Sequence, residues 1–143
     1  MKDYLHTQLN EQEVFSMSML GLAHMGDAVY DLLIRARECS HGVATAKKLH
    51  QNTVRQVSAA AQSEAIDRIL PHLTEREYDV YLRGRNAKVH AIPKGASPQM
   101  YHKATALECL FGYLYLSGEY DRLNSLFAKI VEEDTSAFES ESM

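Results

Sequence analysis

The fold of this chain is decided by the stretch Leu22-Ala23-His24-Met25-Gly26-Asp27-Ala28-Val29-Tyr30-Asp31-Leu32-Leu33-Ile34-Arg35. Its apolar residues recur at steps of three and four, which predicts a helix that is buried over most of its surface. Asp27 stands among these apolar residues. A carboxylate on or beside such a face is costly unless it is paired or holds a metal ion. Asp27 is therefore a candidate functional residue.

A second stretch repeats this pattern in Thr105-Ala106-Leu107-Glu108-Cys109-Leu110-Phe111-Gly112-Tyr113-Leu114-Tyr115-Leu116, where Glu108 is the one acid. Two apolar helices with one embedded acid each predict that Asp27 and Glu108 meet at the edge of the core. Such a pair suits Mg²⁺, a hard ion that takes oxygen ligands and keeps several waters. The alternative is a pair of structural acids bonded to Arg35, Lys103 or tyrosine hydroxyl groups.

The bulk composition is typical of one globular domain. The chain has 143 residues, 45% of them hydrophobic, and a mean hydropathy of -0.31. No run of about 18 apolar residues is present and the first residues are polar, so neither a transmembrane helix nor a secretory signal is expected. Cys39 and Cys109 lack metal-ligand spacing and are interpreted as reduced thiols of a cytoplasmic protein, with a disulfide as the alternative.

Charge is distributed unevenly along the chain, whose formal net charge is -4. No aspartate or glutamate occurs in the window 80–107, whereas the segment from Glu119 onward holds seven acids. The lysines and arginines of the acid-free window are Arg83, Arg85, Lys88, Lys94 and Lys103. Since these residue types suit phosphate groups, the window predicts contact with a nucleic-acid backbone. The alternative is a solvated loop.

The chain is predicted to be all-α, since neither a strand pattern nor an internal repeat is present. Asn10 with Glu13 forms a capping-box pattern, and Ser16 is a second candidate start, for a first long helix to about Glu38. Further helices are predicted over about 46–51 and 53–70, capped by Thr45 and Thr53, and over about 74–85, 97–118 and 119–133.

The segment 86–99 is predicted to be the longest internal loop, because it contains several proline and glycine breakers. Ser97 is the expected N-cap of the helix that follows, with Pro98 at its first position. One domain is expected over 1–134. The small, polar residues of 135–143 are expected to be disordered.

At Met25-Gly26-Asp27-Ala28-Val29, and again along the helix of Glu108, the chain resembles the ribonuclease III family. That family carries a metal-binding aspartate in a Leu-Gly-Asp-Ala/Ser-Val core, and a later glutamate before an apolar, glycine-containing run that ends in Tyr-Leu. The pattern is most similar to the Mini-ribonuclease III subfamily, a catalytic domain without an appended double-stranded-RNA-binding domain. Further matching blocks, in order within about 20–126, are 54–62, 83–88, 93–94 and 101–108.

The resemblance implies a homodimeric endoribonuclease that uses Mg²⁺ to cut double-stranded RNA, leaving 5′-phosphate and 3′-hydroxyl ends. Asp27 and Glu108 would be its catalytic and metal-binding residues, and the basic window would hold the RNA. Asp31, one turn after Asp27, would either reach the metal through water or accept hydrogen bonds from a nearby Arg or Lys, the favoured alternative. The implied subfamily substrate is the large-subunit (23S) ribosomal RNA precursor, with a ribosomal protein as one means of shaping it.

Three positions depart from the family pattern. Full-length members carry acids seven and four residues before the metal aspartate, where this chain has Leu20 and Ala23. They also carry an aspartate three residues before the glutamate, where this chain has Thr105. The carboxylate set thus shrinks to Asp27 and Glu108, which is typical of the subfamily, and Thr105, backbone or water would fill the vacated positions. The rival hypothesis is a non-catalytic RNA-binding or ribosome-assembly factor on the same fold, against which the retention of both acids argues.

Overall fold

In the computed structural model the chain is described at residues 1–42, 45–88, 92 and 97–142, with side chains up to residue 132. The regular structure in these ranges is helical, as predicted. The α-helices are α1 (Glu11–Phe15), α2 (Met19–Ser40), α3 (Ala46–Val57), α4 (Ala59–Ile69), α5 (Glu75–Arg85), α6 (Pro98–Leu116) and α7 (Tyr120–Ser142). A 3-10 turn, Leu70–His72, follows α4. Within these ranges, no helix is long and apolar enough to cross a membrane.

Several helices begin at the caps that the sequence predicted. The Asn10 side chain accepts a hydrogen bond from the Glu13 N–H at 2.8 Å, and the Glu13 carboxylate accepts one from the Asn10 N–H at 3.0 Å. Thr74 and Glu77 form the same reciprocal pair at the start of α5. Ser97 caps α6, whose first residue is a proline. Each cap satisfies amide groups that the first helical turn leaves without partners.

The first predicted helix is divided in two, so the prediction of one helix from Asn10 to about Glu38 is wrong, whereas the alternative start at Ser16 lies close to the observed cap, Ser18. The Ser16 hydroxyl donates to the Glu13 carbonyl at 2.8 Å, just after the end of α1. Ser18 then accepts a hydrogen bond from the Gly21 N–H at 3.0 Å and starts α2. Serine side chains that bind nearby backbone groups compete with a continuous helix, which explains the break.

The prediction that Thr53 caps a separate helix is also wrong. Thr53 lies inside α3 with 3% of its surface exposed. The break comes at Ser58, whose extended backbone ends α3 and whose hydroxyl oxygen accepts a hydrogen bond from the Ala61 N–H at 3.2 Å to start α4. Burial of Thr53 thus outweighs its modest preference for a cap position.

The core is built around α6, which makes its most extensive contacts with α2, α5 and α4. Leu107, Leu110 and Phe111 on this helix are fully buried. The Tyr30 ring of α2 meets Phe111 edge-on, with ring centroids 5.3 Å apart. A helix that is apolar almost all round belongs at the centre of a bundle. Glu108 lies in the middle of this helix and yet stays partly exposed.

The last helix continues beyond Glu133, where the sequence placed its end, to Ser142. Its predicted core residues Leu123, Leu126 and Ile130 are buried. The expected disorder of 135–143 stays a prediction. Of the predicted loop 86–99, residues 89–91 and 93–96 lie outside the described residues.

Candidate active site

Helices α2 and α6 cross in backbone contact at two glycines. A Cβ atom at Gly26 would lie 1.6 Å from the carbonyl oxygen of Glu108, and one at Gly112 would lie 2.0 Å from that of Leu22. No side chain fits into either gap, so both positions require glycine. Because Asp27 follows Gly26 directly, the crossing carries its carboxylate towards the turn of α6 that holds Glu108.

Asp27 and Glu108 line one cavity of about 220 Å³. Helices α2, α4 and α6 form its walls, together with the end of α3. The other polar residues that line it are His24, Gln62, Tyr101 and Thr105, and the remainder are alanines, Leu20 and Val57. The two acids therefore meet at the edge of the core, at a site that is open to solvent.

The two carboxylates interact electrostatically. Burial raises the pKa of Glu108 to about 7, and the negative charge of Asp27 contributes to this rise. Asp27 itself is exposed. In the described part of the chain no lysine or arginine lines the cavity. Among these described residues, the lining therefore offers the pair no cation to offset its charge.

The basic partners that the sequence offered for the two acids are engaged elsewhere. Arg35 donates from Nε to both carboxylate oxygens of Asp31 at 3.0 Å. The Lys103 ammonium nitrogen lies 2.6 Å from a carboxylate oxygen of Asp67. The contacts of the described residues thus argue against a structural ion pair between the two acids and these cations.

Of the two residues predicted to surround the acids, Thr105 lines the cavity, whereas Asp31 is not among its lining residues in the described ranges. The Thr105 hydroxyl donates to the Tyr101 carbonyl oxygen at 3.0 Å, so its proton is used within its own helix. Asp31 pairs with Arg35, which agrees with the alternative that the sequence favoured.

The donor set fits a hard divalent cation. Across the described ranges, no three His, Cys, Asp or Glu side chains come together as a metal site, which leaves no ligand set for tetrahedral zinc. Two carboxylates are sufficient for Mg²⁺, which completes its coordination with waters. The cavity of about 220 Å³ has room for such waters, since each occupies roughly 30 Å³ in the liquid.

Those predicted RNA-binding cations that the structure describes do not line this cavity. Those of the basic window that are exposed are Arg83, Arg85 and Lys88. Lys103 is compensated by Asp67 of α4, an acid that lies far away in the sequence. Lys94 lies outside the described residues. The charge of the basic window is therefore smaller in the folded chain than the sequence alone indicates.

Three polar residues of the cavity were not assigned to it from the sequence, namely His24, Gln62 and Tyr101. His24 precedes Asp27 by three residues, and Tyr101 precedes Thr105 by four, so helical spacing could have indicated both. Gln62 comes from α4, and no spacing relates it to either acid.

Known proteins share this fold and these helices. A family model described as "Ribonuclease III domain" matches residues 20–119. A Mini-ribonuclease 3 from Thermoanaerobacter sp. (strain X514) is 43% identical over 128 residues, which cover 87% of this chain and 90% of the relative. Another from Clostridium tetani is 39% identical over 143 residues, which cover 98% and 95% of the two chains. The X-ray structure of a Fusobacterium nucleatum protein matches with a TM-score of 0.75 at 26% identity, covering 82% of this chain and 95% of that one.

The chain belongs to the ribonuclease III family and is accordingly an endoribonuclease, a hydrolase of RNA. The predicted similarity to Mini-ribonuclease 3 proteins is confirmed by relatives that are 37% to 44% identical. Both helices that cross at Gly26 lie largely within the matched residues, and so do Asp27 and Glu108. Their cavity is therefore the candidate active site.

Proposed function

We propose that this chain hydrolyses double-stranded RNA with Asp27 and Glu108 holding Mg²⁺ beside the scissile phosphate. The observation that carries the proposal is a pair of carboxylates at a solvent-open cavity of a ribonuclease III domain, where no lysine or arginine of the described residues lines the cavity. Two bare carboxylates would repel an anionic phosphodiester, which is why the proposal includes a divalent cation.

The residues of the cavity would have different roles in hydrolysis. When bound, Mg²⁺ supplies a water of lowered pKa and neutralises charge on the phosphoryl oxygens. Asp27 and Glu108 hold it from two different helices, and the contact at Gly26 fixes how far apart these helices lie. Attack of water on phosphorus, with departure of the 3′ oxygen, leaves the 5′-phosphate and 3′-hydroxyl ends expected of the family.

We further propose that the natural substrate is the 23S ribosomal RNA precursor and that a basic surface holds its duplex. Duplex RNA is recognised mainly by its shape and its phosphates. The proposed contacts are Arg83, Arg85, Lys88, Lys94 and Lys103. Lys103 would contribute least, because Asp67 already compensates its charge.

We propose in addition that two copies associate through α2. This helix exposes Leu20 and Leu32, with 43% and 56% of their surfaces accessible. Ala28 and Ala36 lie one turn to either side of Leu32 and are also exposed. Ala28, Leu32 and Ala36 form a short apolar stripe, which suits the face of a partner helix. Association would place two cavities on one dimer, one for each RNA strand.

The decisive experiment is incubation of the purified chain with a plain RNA duplex, with and without Mg²⁺. We expect cleavage only when Mg²⁺ is present, and products that carry 5′-phosphate ends. Binding of the duplex without cleavage at any Mg²⁺ concentration would favour the non-catalytic RNA-binding or ribosome-assembly role instead.

A further inference from the structure

Gln62 projects into the candidate active site from a third helix. It lies in the first turn of α4 and lines the same cavity as Asp27 and Glu108. Only 3% of its surface is exposed, so the accessible part of this residue faces the cavity rather than bulk solvent.

No hydrogen bond joins the side-chain carboxamide of Gln62 to another described residue, and its atoms are not among the buried polar atoms that lack a partner, so they are accessible from the cavity. Gln56, by contrast, donates to the buried Glu38 carboxylate at 2.6 Å. A carboxamide that faces a cavity completes its hydrogen bonds with water or with a ligand. The Gln62 carboxamide is therefore available to a molecule that enters the cavity.

The chemistry of the lining residues shows what Gln62 can add to the binding of a phosphate once a divalent cation offsets the charge of the two acids. Asp27 and Glu108, when ionised, can only accept hydrogen bonds, and the Thr105 proton is already donated to a backbone carbonyl. Within the described ranges no lysine or arginine lines the cavity. The two N–H groups of Gln62 are neutral donors, so they can bind an anion without forming an ion pair with the acids.

The position of Gln62 is rigidly held. The hydroxyl of Ser58 caps the start of α4, and the Gln62 N–H donates to the Ser58 carbonyl at 2.9 Å. One and two turns further on, Ile66 and Ile69 are fully buried in the core. A donor on such a helix needs little reorganisation to meet a ligand, which makes its hydrogen bond more effective.

We propose that the Gln62 carboxamide donates an N–H hydrogen bond to a non-bridging oxygen of the scissile RNA phosphate. The inference rests on the proposed function of this cavity. Gln62 would orient the phosphate beside the two acids and stabilise the negative charge on its oxygens. The carboxamide oxygen is left free to accept a hydrogen bond from water.

The test is the single-turnover cleavage of saturating duplex RNA by Gln62→Met, which keeps the side-chain length and removes the hydrogen bonds. We expect the rate to fall roughly 10- to 100-fold, the loss that corresponds to one hydrogen bond to a charged group. Binding of Mn²⁺ to the protein without RNA, followed by electron paramagnetic resonance, should stay unchanged. Ser63→Ala is the matched control, since Ser63 is a buried neighbour on the same helix that does not line the cavity.

Gln62→Glu tests whether the carboxamide acts as a hydrogen-bond donor or as an acceptor, because it keeps an oxygen and removes both N–H groups. We expect it to cleave at least as slowly as Gln62→Met. Retained activity in Gln62→Glu, or weaker Mn²⁺ binding in Gln62→Met, would overturn the proposal and assign the carboxamide oxygen to the cation. Wild-type activity in Gln62→Met would overturn this inference alone, whereas an inactive wild-type chain would overturn the proposed function as well.

Discussion

Asp27 and Glu108 are acids on two helices that are otherwise apolar, and their chemistry follows from the cavity that they share. Burial and the charge of Asp27 raise the pKa of Glu108 to about 7. A bound cation would favour the ionised form of both carboxylates. The cations nearest in sequence, Arg35 and Lys103, are paired with other acids. The two residues are therefore available for a ligand.

Asp27→Asn is expected to abolish cleavage while preserving the fold, because the change is nearly isosteric and removes only the charge. Glu108→Gln should behave in the same way. The double variant should be little worse than either single one, since residues that act as one unit lose their function together. Single-turnover cleavage of duplex RNA measures the effect, and circular dichroism checks the fold. A rate within about tenfold of the wild type would exclude Asp27 as a ligand. That limit corresponds to a change of about 1.4 kcal/mol in activation free energy.

At the scale of the elements, the site depends on how closely α2 and α6 approach. Gly26 and Gly112 remove the side chains that would separate the two backbones. A third contact joins α5 to α7, where Arg122 donates from Nε to Glu77 at 2.8 Å and from a terminal nitrogen to the same carboxylate at 2.9 Å. The glycine crossing and the contact between Arg122 and Glu77 each join helices that are distant in sequence.

Gly26→Ala should destabilise the chain by about 3 kcal/mol or more, at or beyond the upper end of typical overpacking costs. The added Cβ would lie 1.6 Å from a backbone oxygen, which cannot move without shifting α6. Urea unfolding followed by circular dichroism measures the loss. Gly21→Ala on the same helix is the control, because its Cβ would lie 3.2 Å from the Ser18 hydroxyl oxygen, a side-chain atom. Equal stability of the two variants would contradict the importance of the crossing.

Glu77→Gln should lower the free energy of unfolding at neutral pH by about 1–3 kcal/mol, since it weakens hydrogen bonds to a charged group. Burial alone would raise the pKa of Glu77, but the hydrogen bonds from Arg122 and Thr74 outweigh it and hold the pKa below its ordinary value of 4.5. The pair therefore stabilises the fold above this value, and its contribution is lost as the pH falls through the lowered pKa. The free energies of unfolding of the wild type and of Glu77→Gln, measured from pH 7 to pH 3, should become equal in acid. A constant difference would show that the ionised pair is not the cause.

At the scale of the whole molecule, two surfaces are proposed to bind partners. The exposed apolar stripe of α2 suits a second copy of the chain, and the exposed cations in the last turn of α5 and just after it suit RNA phosphates. The stripe and the candidate active site lie on the same helix. Association and catalysis are therefore expected to be coupled.

Leu32→Glu should convert the proposed dimer to a monomer without unfolding it, because the side chain is 56% exposed in the single chain. Sedimentation velocity at micromolar concentration measures the change. Val54→Glu is the control, since Val54 is similarly exposed on α3. A charged residue in place of Leu20 should weaken the dimer as Leu32→Glu does, and it also alters the cavity that Leu20 lines. A charged residue in place of Met17 should lower the stability of the fold, because Met17 packs against a buried cluster. A fully active wild-type monomer would contradict the dimer.

Replacement of both Arg85 and Lys88 by alanine should weaken binding of duplex RNA and flatten its salt dependence. Each cation that neutralises a phosphate releases counterions, so the logarithmic slope should fall by roughly one unit per residue. Fluorescence anisotropy over a range of salt concentrations measures this slope. Turnover at saturating RNA should fall far less than for Asp27→Asn. An unchanged slope would instead place the RNA on the exposed cations of α3, namely Lys47, Lys48 and Arg55.

The local errors in the sequence-based prediction have identifiable physical causes. Asn10, Thr74 and Ser97 were correctly predicted as caps, because a cap depends on residues within one turn. Thr53 was placed at a cap although it is buried within α3, and the break at Ser18 was missed. At Thr53 burial outweighs a local preference, whereas at Ser18 local hydrogen bonds of serine side chains interrupt the helix.

The sequence by itself determined that the chain is helical, that two acids lie on its apolar helices, and that it resembles the ribonuclease III family. These properties follow from spacing within single helices and from ordered motifs. Only the tertiary structure decided that Gln62 enters the site of the acids and that Asp67 compensates Lys103. Both residues belong to α4, far from their partners along the chain. Their contacts depend on how closely helices cross, which the periodicity of one helix does not specify.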